Sequence, residues 1–350
     1  MAIPQSPTVN KEGANSTSNG GLVLALIYIT TLFFIWAFVT NLIDPLVANT
    51  KKVFTLTDAE AQLNQLAFFI AYGVMSIPAA FYLSRKGYAN SIILGLLGII
   101  AGCLIAFSTA FTNSFSTILL GLFVAASGIT LLQVAANPLI ASMGDPKGAA
   151  FRLNLSQSFN SMGAFIGGVV GAKYLLDGEL FAKDVVITPE LKDHGLSFVT
   201  SAYMYLAIAL AVFTLAVFLV RKTVATHAPK LPEHAESPFS ALKSKWANLG
   251  AIAIFLYVGA EVCVISGMIF FLEQPEILNV SSQVAGYIAP FFMLFAMAGR
   301  FLGSALLRFY SATSMLILVA VGAIVLTSIV ILTYQLPALP IGGSVNIGDW

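Results

Sequence analysis

Nine long apolar runs constrain this chain more than any other feature of it. They lie near residues 22–46, 62–84, 89–110, 114–142, 152–176, 197–220, 247–272, 282–307 and 312–334. A helix needs roughly 20 apolar residues to cross the hydrocarbon core of a bilayer. Inside that core no water can satisfy the backbone, so a spanning segment must close its own hydrogen bonds, as a helix does. The charge content agrees. Asp, Glu, Lys and Arg are 9% of the 350 residues, against about 25% in a soluble domain. So few charges cannot cover a soluble surface, which excludes a soluble enzyme, a coiled coil and a disordered chain. The net charge of +1, with no basic patch, argues against nucleic acid as a partner. The fold class is therefore an all-α polytopic membrane protein with the lipid bilayer as its surroundings.

The runs fall into two groups. Residues 1–20 are polar and are expected to form a disordered cytoplasmic tail. The first apolar run is too long for a signal sequence. Residues 21–220 hold six spans and read as an N-terminal six-helix domain. Residues 221–245 are charged and proline-bearing, and read as a cytoplasmic linker that includes His227 and His234 as solvated side chains. Residues 246–350 hold three spans of a second, partial domain. With the N-terminus in the cytoplasm, twelve Lys and Arg fall on the inner side and five on the outer, as the positive-inside rule requires. Two bundles joined by a charged linker are a transporter pattern. Six spans followed by three lead to the expectation that the chain is a fragment lacking about three helices of its second half. Cys103 and Cys263 sit in apolar runs and are expected to be small buried hydrophobes.

Polar groups inside a membrane need a reason. Asp44 closes the first span in FVTNLIDPL, and Asn41 shares its helical face. Pro45 follows, so a kink or break is expected there. Loss of hydration at Asp44 favours its protonated form, the chemistry of a group that loads and releases a proton. Glu261 lies well inside the seventh span and must face a cavity or a partner. Gln133 and Asn137 are four apart in the fourth span, and Pro138 invites a break there. The fifth span opens FRLNLSQSFNSMG, in which Asn154, Gln157 and Asn160 recur every three residues beside Ser161. Amides donate and accept, so this stripe suits a neutral polyol, or it pins helices together. Trp36 and Phe33 are placed to stack on a sugar ring. Gly163, Gly167 and Gly171 form a row that permits close helix contact at a moving interface. Arg85 and Lys86, then Arg300 and Arg308, flank the inner ends of spans two and eight as topology anchors and gate residues. Asp145 is a candidate acidic partner for them.

QVAANP, followed after a short basic loop by RLNLSQSFNSMGA, resembles the signature of the fucose/glucose/galactose permease branch of the major facilitator superfamily. NLIDPL, YVGAEV and AGRFLGSALL fit the same branch, so the resemblance runs from about residue 22 to the end. It implies a major facilitator fold, sugar:proton symport and alternating access between two six-helix domains. It also implies proton coupling at Asp44 and sugar contacts at Asn41, Gln157 and Asn160. The reading of the residues themselves adds Glu261 as a second proton-coupling candidate, Gln133, Asn137 and Trp36 as substrate contacts, and Arg85, Asp145 and Arg300 as gate residues. Fucose permeases carry a glutamate where this chain has Gln133, which cannot titrate, so glucose and galactose are the favoured hexoses. The alternatives are L-fucose or another sugar, a proton-driven drug exporter on the same fold, and a sugar sensor that binds without transport. The coupling ion is a proton, with sodium the alternative. No enzyme activity, metal or cofactor is expected. The expected setting is a bacterial inner membrane, with the protein acting as a monomer.

Overall fold

The computed structural model describes residues 18–175, 188–229, 238–275, 277, 279–280, 288 and 291–335, without the side chains of residues 43–49 and of some other helical positions. The described backbone is built of helices joined by short turns. α1 is Ser18–Val53, α2 Asp58–Lys86 and α3 Tyr88–Phe107, continued by a short turn at Thr109–Thr112. α4 is Phe115–Ser142, α5 Ala149–Leu175 and α6 Pro189–His227. α7 is Lys245–Glu273, α8 Phe291–Leu306 and α9 Ala312–Gln335. Among the described residues, each of the nine apolar runs holds one of these helices. Among the described residues, six helices are long and apolar enough to cross a membrane: α1, α2, α3, α4, α6 and α9.

Local chemistry explains several boundaries. Thr57 opens α2 with a capping box: its hydroxyl accepts from the Glu60 amide at 3.3 Å, and the Glu60 carboxylate accepts from the Thr57 amide at 2.8 Å. Gly87, at φ +83°, ends α2 and turns directly into α3, a backbone conformation that glycine adopts without a Cβ penalty. Thr188 and Ser244 cap α6 and α7, and Pro189 follows Thr188 at the first helical position.

The chain divides into two units, residues 1–238 and 239–350. In the first, α1 packs on α5 and α6, α3 on α4 and α6, and α2 on α4, while α4 also touches α5. The helices therefore close a ring. Its core is aliphatic and aromatic, with Ile29, Phe33, Leu96, Ile99 and Leu132 completely buried. In lipid there is no hydrophobic drive between helices, so association depends on close van der Waals approach. Two seams supply it. Where α3 crosses α4, a Cβ on Gly95 would meet the Gly128 carbonyl at 2.8 Å, and one on Gly121 would meet the Gly102 carbonyl at 2.7 Å. Where α5 crosses α1, a Cβ on Gly163 would strike the Phe34 carbonyl, and one on Gly167 the Phe38 carbonyl at 2.5 Å.

In the second unit α7, α8 and α9 bury little. No residue in the most apolar stretch of α9 is buried, and Leu272 and Ser304 are the buried residues among those described.

Several expectations change. The Gly163/Gly167 row packs two helices of one bundle, because the carbonyls it meets belong to α1, so it is not lining for a moving interface. α1 runs through Pro45 and α4 through Pro138 without ending, since a proline removes one backbone bond while the flanking turns persist. Residues 18–20 begin α1 and are not part of a tail, and residues 1–17 lie outside the described residues. α6 continues to His227, so that residue is helical and partly buried, with its Nδ1 2.9 Å from the Thr223 carbonyl. His234 lies outside the described residues. Cys103 is buried as expected, but Cys263 is exposed.

Candidate functional site

The amides of α4 and α5 meet across one bundle. Gln133 and Asn137 are one turn apart on α4, and Gln157 and Asn160 nearly one turn apart on α5. Gln157 Nε2 donates to Asn137 Oδ1 at 3.4 Å. Asn160 Nδ2 donates to the Phe33 carbonyl of α1 at 3.1 Å. Gln133 Nε2 donates to the Tyr72 hydroxyl of α2 at 3.0 Å. On α1, Asn41 Nδ2 donates back to the Ala37 carbonyl at 2.9 Å. Between α1 and α5 the hydroxyls of Thr30 and Ser156 lie 3.1 Å apart. Four helices are thus tied together by polar side chains.

All five amides are only partly buried, so solvent or a ligand can reach them. Their chemistry is neutral and two-sided. A primary amide has two N–H donors and one carbonyl acceptor. After its bond to Tyr72, Gln133 keeps its Oε1 and one N–H, and Gln157 and Asn160 likewise keep a carbonyl oxygen and one N–H. The cluster can bind hydroxyls as donor and as acceptor at once, without net charge. The same bonds pin helices together, which is the second of the two readings of the stripe. Asn154 belongs to the stripe, and its carbonyl accepts from Ser158 at 2.9 Å.

The remaining candidates sit differently. Trp36 is 4% exposed and Phe33 fully buried, with ring centroids 4.2 Å apart. Both rings belong to the core, and Trp36 can stack on a sugar only in a conformation that uncovers it. Asp44 is on α1, three residues beyond Asn41, and its side chain lies outside the described residues. Arg85 is exposed at the last turn of α2. Asp145 Oδ1 accepts from the Lys147 amide at 3.0 Å and caps the turn Pro146–Gly148. Its backbone carbonyl accepts from Arg152 Nη1 at 2.9 Å.

In the second unit Arg300 Nη2 donates to Glu261 Oε1 at 3.1 Å, with the two side chains 25% and 24% exposed. Glu261 therefore has its partner one helix away, and Arg300 is more than a topology anchor because it balances that carboxylate.

Three residues with site-level roles went unread in the sequence. Tyr72 looked like one more aromatic in an apolar run, yet it orients Gln133. Asn64 is 1% exposed, and its Oδ1 has no partner among the described residues. The signal was present: Asn64, Phe68 and Tyr72 recur every four residues along one face of α2. Arg152 had counted only as an inner charge. It donates from Nε to the Ile140 carbonyl at 3.1 Å and from Nη2 to the Ala141 carbonyl at 2.8 Å. It thereby satisfies the orphan carbonyls that every helix end leaves, here at the end of α4.

Comparison with known proteins agrees with this architecture. The Major Facilitator Superfamily model matches residues 24–347. The "Glucose/galactose transporter" of Brucella abortus biovar 1 (strain 9-941) is 37% identical over 329 residues, covering 93% of this chain and 77% of that protein. The "L-fucose-proton symporter" of Haemophilus influenzae is 30% identical over 317 residues, covering 86% and 72%. The crystal structure of the Major Facilitator Superfamily transporter FucP in the outward conformation superposes with a TM-score of 0.67 at 27% identity, covering 83% of this chain and 73% of that one. The chain belongs to the Major Facilitator Superfamily.

Proposed function

We propose that this protein is a secondary active transporter that imports a hexose, glucose or galactose, together with a proton. The carrying observation is the uncharged, partly accessible amide cluster of Gln133, Asn137, Gln157 and Asn160. Relatives named as glucose/galactose transporters and L-fucose-proton symporters support the reading.

In the proposed cycle the four amides bind sugar hydroxyls, with Asn41 beside them and Trp36 joining when α1 uncovers it. Asp44 takes up the proton that favours the outward-open state. Sugar and proton bind the two end states differently, which is what coupling requires. Glu261 is the second proton-linked group, and its bond to Arg300 makes that pair a latch in the second half. Arg85 serves the inner gate. The protein sits in a bacterial inner membrane with its N-terminus in the cytoplasm and works as a monomer. Gln133, an amide where fucose permeases carry a titratable group, favours glucose and galactose over L-fucose. L-fucose is the second reading, supported by the relatives of that name.

The test is uptake of labelled glucose, galactose and fucose by transporter-deficient cells producing the full chain, with and without a protonophore. The expected result is hexose accumulation that collapses with the protonophore and in Asp44→Asn, while sugar binding to the variant persists. Accumulation by Asp44→Asn would remove the coupling role, and uptake of none of the three despite membrane expression would overturn the hexose reading. Gln133→Ala is expected to raise the KM by about 10- to 100-fold, because truncation leaves the Tyr72 hydroxyl and a sugar hydroxyl unpaired at about 1–3 kcal/mol.

A further inference from the structure

Away from the amide cluster, the first unit carries a cleft of about 320 Å³ where the α2–α3 turn meets the end of α6. Lys86, Gly87, Tyr88, Ala89 and Asn90 line it from one side, and Arg221, Lys222, Ala225, Ala228 and Pro229 from the other. Three cationic side chains, of Lys86, Arg221 and Lys222, are in its lining, and no carboxylate is in the lining among the described residues. We propose that this cleft binds a phosphate-bearing anion, and that its occupant is the headgroup of an anionic phospholipid.

Geometry supports this in three ways. First, the wall is shaped to let an anion approach. Gly87 has no side chain, and a Cβ added there would meet nothing within 4 Å. Ala89, Ala225 and Ala228 add little bulk. Second, Arg221 is held in place. Its Nη1 donates to the Phe218 carbonyl at 3.3 Å, and its guanidinium carbon lies 3.4 Å from the Phe218 ring centroid. A fixed guanidinium keeps most of its five N–H donors for a ligand and loses little freedom on binding. Third, the surroundings fit a lipid. Leu215, Phe218 and Leu219, within two turns of Arg221 on α6, are 60%, 43% and 74% exposed. A headgroup in the cleft would leave acyl chains beside that apolar face. Basic pockets at the ends of membrane helices bind such headgroups. In the proposed orientation the cleft opens to the cytoplasmic leaflet, but the binding argument holds on either side.

The experiment uses the purified full chain in nanodiscs of phosphatidylcholine doped with phosphatidylglycerol, and counts retained lipid by native mass spectrometry. Inorganic phosphate serves as the soluble competitor. The expected result is selective retention of phosphatidylglycerol that millimolar phosphate does not displace. Lys86→Gln/Lys222→Gln is expected to weaken retention about thirtyfold, at about 1 kcal/mol per lysine and 1.4 kcal/mol per factor of ten. Lys86→Arg/Lys222→Arg should restore it, and Arg85→Gln, a neighbouring cation outside the lining, should leave it unchanged. Displacement by phosphate at that concentration would identify a soluble phosphate as the occupant of the same anion site. Equal retention by wild type and the Gln double variant, in protein that elutes as a single species, would overturn the proposal. So would the same loss in Arg85→Gln, which would reduce the cleft to diffuse surface charge. The result does not depend on sugar transport, so the proposed function and this site can fail separately.

Discussion

α4 and α9 are comparable apolar helices with opposite fates. In the most apolar stretch of α4, 61% of residues are buried, and in that of α9 none is. Apolarity does not separate them, but composition does. α4 carries Gly121, Gly128 and paired alanines along its contact face, with Ser127, Thr130, Gln133 and Asn137 among them. Over residues 316–332 α9 reads LILVAVGAIVLTSIVIL, dominated by Leu and β-branched residues, with no amide and no charge. In water the apolar face turns inward. In lipid the apolar face has no reason to, and small and polar residues mark the inside. The comparison extends to the first unit as a whole: glycine seams and amide bonds knit α1–α6, whereas in the second unit the Glu261–Arg300 pair joins α7 to α8.

The largest effect should come from filling a seam. Gly163→Val puts a branched Cβ into the Phe34 carbonyl, which is backbone and cannot swing away. The expected cost exceeds the roughly 1–3 kcal/mol of ordinary overpacking, enough to abolish a monodisperse protein on size-exclusion chromatography. Gly322→Val in α9, where nothing lies within 4 Å, should leave elution and melting temperature nearly unchanged. If both variants behave alike, burial and seam geometry are not what distinguishes the helices.

A smaller effect is expected in the second unit. Glu261→Gln and Arg300→Gln each remove one half of the ion pair, and both are expected to lower the melting temperature. The double Gln variant should recover part of the loss, since removing both charges is milder than stranding one. Strictly additive losses would mean that the 3.1 Å pair contributes nothing. The smallest perturbation is chemical labelling. A maleimide that partitions into detergent should modify Cys263 in folded protein and reach Cys103 only on unfolding, as their exposure requires. Equal labelling rates would show that the first bundle is no tighter than the second unit.

Much of this was legible in the sequence. Apolar runs placed all nine helices because span length is a direct consequence of bilayer thickness. The pairs Gln133/Asn137 and Gln157/Asn160 were recognisable because an amide among Leu and Val stands out. What stayed hidden depends on a second helix. The partner of Gln133 is a tyrosine, and the Asn64/Phe68/Tyr72 spacing names its face of α2 but not the helix that face meets, which is α4. Glu261 was conspicuous, but Arg300 read as an anchor because the two are 39 residues apart. The α3–α4 seam had a trace, since Gly95/Gly102 and Gly121/Gly128 both repeat at seven, but one helix's spacing does not name its neighbour. Trp36 shows the reverse ambiguity: an aromatic suited to a sugar ring is equally suited to a core, and here it is buried in one.

The continuity of α1 and α4 through their prolines has one more consequence. Within a helix, the residue four positions before a proline keeps a carbonyl that no amide can reach. For Pro45 that carbonyl belongs to Asn41, and for Pro138 to Val134, the neighbour of Gln133. Each of these amide-bearing turns therefore offers a main-chain acceptor beside its amide. An alanine scan cannot remove these two oxygens, because every residue type supplies the same carbonyl. Replacing the prolines would silence them by restoring the missing donor.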